Sequence, residues 1–189
     1  MKKIFVFLVA LLVPSLTFAQ LPPHLVGLME YPVFEFHPMI GVVKTKTKEL
    51  KYDKSLSYKM AIDVSDGVKD SSKIIRPFLE VARSYNLNVA NGVPKRKLEA
   101  AVVIHGAAIW AILNNDAFKE KYGVDNPNLE AIRIMKKQGI EFYVCSQVLA
   151  FRNVSFDQIS DEIDLVVSAK TALITLDQMG YSYLNVNEK

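Results

Sequence analysis

The chain has 189 residues, half of them apolar, with 23 Lys and Arg against 20 Asp and Glu and a single cysteine. This composition excludes a strongly basic nucleic-acid binder and an acidic disordered chain, and the length suffices for one full hydrophobic core. With one cysteine, an intrachain disulfide is excluded as well.

The first predicted element is an export signal over residues 1–19. Lys2 and Lys3 precede an unbroken apolar run from Ile4 to Val13, then come Pro14, Ser15 and the small-residue pattern Thr17-Phe18-Ala19 before Gln20. A basic start, an apolar middle and small residues at the cut are the order of a secretory signal peptide. As a helix such a run reaches about 15 Å, half of a hydrocarbon layer about 30 Å thick, so it engages export machinery without spanning a bilayer. No later stretch is long enough for a membrane span. Cleavage near Ala19 leaves 170 residues with 21 basic and 20 acidic groups, in the periplasm or outside the cell. In that oxidising setting the unpaired Cys145 is either buried and inert or kept for its reactivity.

Residues 20–58 form an N-terminal extension. Prolines at 22, 23, 32 and 38 argue against regular structure. Lysines at 44, 46, 48, 51 and 54, set among threonines and serines, suit an arm or edge strand packed on the surface. Glu49, Asp53 and the near-neutral total favour a solvated face there over a polyanion patch.

From residue 59 to 189 strands and helices alternate. Tyr58 to Val64 is predicted as a strand ending at Ser65-Asp66-Gly67, and Ser71 to Tyr85 as a helix whose start or kink lies at Pro77. Leu98 to Ile104 has the apolar run of a buried parallel strand, and Ala107 to Leu113 that of a short buried helix. Asn114 to Asn128 is polar and ends in the turn Asn126-Pro127-Asn128, which precedes a helix with Leu129, Ile132 and Met135 on one face, stopping at Gly139. Ile140 to Val144 is a strand, Val154 to Asp161 a loop with a short helix, and Ile163 to Val167 another strand. A helix follows with Ala169, Ala172, Leu173, Leu176 and Met179 in step, then Gly180 and a final strand from Tyr181 to Val186. Five strands separated by helices imply an α/β domain with a mainly parallel sheet covered on both faces.

Cys145 directly follows a strand, and open α/β sheets bind ligands at that end. Backbone N–H groups of a helix starting just after it would favour the thiolate, the nucleophilic form. The alternative is a cysteine that fills space at a strand end. His105 occupies the matching place after its own strand, so an imidazole could take the thiol proton, or simply hydrogen-bond its turn. Asn126 and Asn128, with Asn114, fall near the same edge, where turn and capping chemistry is their ordinary role. The chain has no G-x-G-x-x-G, G-x-x-x-x-G-K-[ST] or G-x-S-x-G, and histidines at 24, 37 and 105 with one cysteine have no zinc-ligand spacing. No metal or cofactor is expected.

The pieces Val102-Val103-Ile104-His105-Gly106-Ala107, Asn126-Pro127-Asn128, Val144-Cys145-Ser146-Gln147, and Ser168-Ala169-Lys170-Thr171-Ala172-Leu173 with Gly180-Tyr181, in this order and spacing, resemble exported single-domain members of the DsrE/DsrF-like family. The similarity runs from about Tyr31 to Val186. It implies a three-layer α/β/α sandwich with a five-stranded parallel sheet, assembly into homotrimers or larger rings, and sulfur carried as a persulfide on Cys145. Ser146 stands where the family often has glycine. The function the resemblance implies is sulfur carriage by stoichiometric loading rather than turnover, with His105 setting protonation, the Ser146 and Gln147 amides stabilising the anion, Asn126 and Asn128 nearby, and a sulfur donor or acceptor protein as partner. The competing reading is a small-ligand-binding or assembly protein in which Cys145 is structural.

Overall fold

The computed structural model describes residues 21–45, 47 and 49–188; the expected export signal lies outside them. The extension contains 3-10 turns at Pro23–Leu25 and Pro38–Ile40 and a small antiparallel ribbon of β1 (Met29–Glu30) and β2 (Val42–Val43). It is more than the surface arm its lysines suggest. Phe34 and Ile40 are fully buried in the main core, and the buried Asn86 side chain binds both segments. Its amide oxygen accepts from the Val33 and Phe34 N–H groups at 3.2 and 2.9 Å, and its NH2 donates to the Phe34 and Ile40 carbonyls, each at 2.9 Å.

The sheet consists of β3 (Tyr58–Val64), β4 (Leu98–Ile104), β5 (Glu141–Cys145), β6 (Asp164–Val166) and β7 (Ser182–Asn185), all parallel, in the order β6-β5-β4-β3-β7. The central strands match their apolar runs. The edge strands β6 and β7 are shorter than the sequence suggests, which limits the unpaired backbone each edge presents.

Helices α1 (Arg76–Ala90), α2 (Asn115–Tyr122), α3 (Asn128–Lys136), α4 (Ser146–Phe151) and α5 (Ala169–Gln178) make the connections. Helix α1 begins at Arg76 rather than Ser71 because Pro77 sits in its first turn, where a missing N–H is no loss. The apolar stretch after His105 is a 3-10 segment, Gly106–Ile112. Helix α2 occupies part of the polar stretch that carries no apolar periodicity: it buries only Phe118 and is held by its ends. Asn114 accepts from the Ala117 N–H at 2.9 Å, and Gly123 closes the helix at φ +79°.

Connections from β3 to β6 advance in one direction, and α5 then returns the chain to β7 beyond β3. Right-handed crossovers therefore set α5 on the opposite face from α1 and α3. The alternation of each strand sorts its residues accordingly. Met60, Ile62, Val64, Val102, Ile104, Phe142 and Val144 join the larger core with α1, α3 and the 3-10 segment. Ala61, Ala101, Val103 and Cys145 face α5 with Ala169, Leu176 and Tyr181. The result is an α/β fold with a five-stranded parallel sheet and helices on both faces.

Candidate functional site

The carboxyl ends of the central strands bring the site together. Asp63 and Cys145 have the parity of the α5-facing residues in β3 and β5. Ile104 pairs with Val144, so one further step places His105 beside Cys145 on strands about 4.8 Å apart. The backbone supports this extension: His105 is still extended, and its N–H donates to the Val64 carbonyl at 2.9 Å. Gly106 then turns the chain away at φ +57°, where a Cβ would stand 3.1 Å from the Ser65 carbonyl oxygen.

A cavity of about 620 Å³ opens at this edge, lined by Asp63, His105, Cys145 and Lys170 among polar groups and by Val148, Phe151 and Leu173 among apolar ones. Cys145 is 6% exposed and stands as the residue before the short helix α4. Gln147 also lines the cavity. Ser146 does not: its hydroxyl donates to the Val167 carbonyl at 2.9 Å and ties α4 to the loop before α5.

His105 Nε2 lies 2.6 Å from Asp63 Oδ1, and the Tyr183 hydroxyl donates to Asp63 Oδ2 at 2.6 Å. Burial pushes the Asp63 carboxyl up, but the hydrogen bonds from His105 and Tyr183 pull harder, and it ends below the usual carboxylate range. An ionised carboxylate only accepts, so Nε2 carries the hydrogen in this contact and Nδ1 is the nitrogen left to exchange a proton. The same contact pushes the Tyr183 hydroxyl up. Below Asp63, Asn187 Nδ2 donates to its carbonyl at 3.1 Å, while Asn187 Oδ1 accepts from the Ser65 and Asp66 N–H groups at 2.7 and 3.1 Å. The chain's last turn thus fixes the strand end that carries the carboxylate.

Of the residues the sequence singles out, His105, Cys145 and Gln147 meet in this cavity. Asn126 and Asn128 do not reach it. Asn126 Nδ2 donates to the Ala111 and Leu113 carbonyls at 3.0 and 2.7 Å, and its oxygen accepts both the backbone and side-chain N–H groups of Asn128. Asn128 Oδ1 in turn accepts the Ile75 N–H at 2.8 Å, just before α1. Both side chains are buried loop clamps whose hydrogen-bonding atoms are already used, which is why they have none to offer a ligand.

Asp63, Tyr183 and Lys170 went unassigned from sequence. A lone carboxylate in the buried, otherwise apolar second half of its strand, two residues after Ala61 and so on the same face, is the signal that identifies Asp63; nothing comparable marks Tyr183. Among the described residues no cluster of three or more His, Cys, Asp and Glu side chains could hold a metal ion, and no helix is long and apolar enough to cross a membrane.

A thiol and a carboxylate-oriented imidazole thus stand together at the carboxyl edge of a parallel sheet in an α/β scaffold. The profile of the DsrE/DsrF-like family matches residues 59–186, and the chain belongs to that family. Its fold is similar to that of MTH1491, a protein of unknown function from Methanobacterium thermoautotrophicum, with a TM-score of 0.52 and 17% sequence identity over 68% of this chain and 99% of that one. Among curated proteins nothing matches.

Proposed function

We propose that this protein is an exported sulfur carrier. Cys145 attacks a sulfane donor, holds the transferred sulfur as a persulfide and yields it to another thiol. The observation that carries the reading is the convergence of Cys145 and His105 in one cavity, with Asp63 turning the Nδ1 side of the imidazole free. In this reading His105 takes the thiol proton, and the cavity shields the persulfide from competing thiols. Family membership supports a sulfur-relay type of scaffold. The basic-then-apolar N-terminus supports export, with a mature chain beginning near Gln20.

Intact mass of the exported protein tests both parts. The expected result is a mature chain lacking residues 1–19 that gains the mass of one sulfur atom on exposure to sodium tetrasulfide and loses that capacity in Cys145→Ser. A wild-type chain that never gains sulfur overturns the carrier reading. The second reading, a binding protein with a structural cysteine, draws on the packing of Cys145 against Ala61, Ala101 and Val103. It requires that Cys145→Ser bind the same partners as wild type, with no sulfur gained by either.

The carrier also self-associates in this proposal. Among the described residues one helix, α5, covers its side of the five-stranded sheet, and Phe151, Val167 and Ile174 are left 87%, 70% and 64% exposed. Apolar exposure grouped on one face is what an interface between copies covers.

A further inference from the structure

We infer that the sulfur donor at Cys145 is an anionic, low-molecular-weight organic persulfide. The inference rests on the carrier reading and adds the chemistry of the molecule that fills the cavity. The space of about 620 Å³ lies within the range of small-molecule sites and far exceeds the room needed for one transferred sulfur atom. Its charge is uneven. Asp63 presents a carboxylate whose two oxygens are both occupied, one by His105 and the other by Tyr183. Lys170 has no ion-pair or hydrogen-bond partner among the described residues. It stands in the first turn of α5, a helix of ten residues whose positive end adds to the same field. The lining thus holds one carboxylate with both oxygens engaged and one cation without a partner among the described residues, and the cation is the charge left to meet a ligand. Val148, Phe151 and Leu173 supply apolar wall that a bare inorganic anion would leave uncovered and that a carbon skeleton would fill.

The transfer balances without an oxidant or reductant. His105 Nδ1 takes the Cys145 proton, and the thiolate attacks the terminal sulfur of R–S–SH. The Cys145 Sγ–S bond forms as the donor S–S bond breaks. The released R–S⁻ leaves with the electron pair and recovers the proton from His105, giving RSH and a persulfide on Cys145. Lys170 meets the anionic group of R, away from the bond that breaks.

Two donors of opposite charge test this on the full chain: glutathione persulfide, which carries carboxylates, and cysteamine persulfide, which carries an ammonium. Loading of Cys145 is followed by intact mass, and each rate is divided by the rate of the same donor with free N-acetylcysteine. In wild type at low salt, the glutathione donor should lead by about tenfold, and the lead should shrink as salt screens it. With each variant's rates also divided by its own alkylation by neutral iodoacetamide, which reads the thiolate, Lys170→Ala should bring the two donors together and Lys170→Glu should reverse them. Equal normalised rates in wild type, or a lead that survives Lys170→Glu, overturns the inference. So does loading by sodium tetrasulfide with neither organic donor active, which points to sulfur delivered by other means. In all those cases the carrier reading stands. A Cys145 that accepts sulfur from none of the three donors removes the carrier reading and the inference together.

Discussion

Asp63 connects the strand framework to the chemistry of the cavity. A carboxylate in a buried strand is costly unless its oxygens are satisfied, and here His105 takes one and Tyr183 the other. Its folded pKa lies below the ordinary value, so the bound anion stabilises the fold at neutral pH, and that contribution is lost as pH falls through the folded pKa. Asp63→Asn removes the charge and turns one of the two acceptors into a donor, so one of the two partners must reverse its hydrogen-bonding role. It should cost about 2 kcal/mol at pH 7. The gap from wild type should narrow as pH falls from the ordinary carboxylate value of about 3.9 toward the lower folded pKa, where the wild-type carboxylate protonates too. Urea midpoints of the two proteins across this range check it; a gap that stays constant with pH would show that the carboxylate charge is not what matters. At this scale the sequence reveals Cys145 and His105, because each ends an apolar strand just where the chain turns. It does not reveal their orienter. Asp63 lies inside its predicted strand, on the face of Ala61, but nothing in the sequence sets it beside His105; the pairing of strands does, with Tyr183 reaching it from the far edge of the sheet.

Elements became legible in proportion to how much apolar surface each one buries. Strands β3 and β4 span the ranges their apolar residues mark, despite Lys59 and Asp63 in one and Glu99 in the other. Helix α2, with Phe118 alone buried, is defined by its caps, and no periodic pattern announces it. The extension hid its role differently. Its prolines and lysines describe the exposed part, while the two residues that anchor it, Phe34 and Ile40, are separated by a turn and have no period to betray them. Their anchorage runs through Asn86, fully buried on α1 with four hydrogen bonds to the extension. Asn86→Ala leaves two N–H groups and two carbonyls of that segment without their partners. The expected cost is about 3 kcal/mol, with faster hydrogen exchange at Val33 and Phe34 and little change at β5. Exchange measured by mass spectrometry, residue by residue, checks the localisation. If protection falls evenly through the sheet, the extension is part of one cooperative unit with no separate opening.

The whole molecule is lopsided in how it buries its sheet. One face carries α1, α3, the 3-10 segment and the anchored extension; the other carries α5 over small residues, so that helix sits close to the strands and covers little beyond them. Ala61 and Ala101 permit the close approach, and the same economy leaves Ile174 on α5, Val167 just before it and Leu165 on the β6 edge exposed. Ile174 is the clearest case, since it is mostly exposed on the side of α5 away from the buried Leu176. If copies of the chain cover this face, Ile174→Glu should dissociate them without unfolding the protomer, because the side chain is mostly exposed and the substitution places a charge where two copies would meet. Sedimentation velocity should show wild type as a multimer and the variant as a monomer, with matching circular dichroism spectra. A wild type that sediments as a monomer across micromolar concentrations would mean that this apolar face is simply exposed, and that the cavity beside Phe151 is open to solvent on that side.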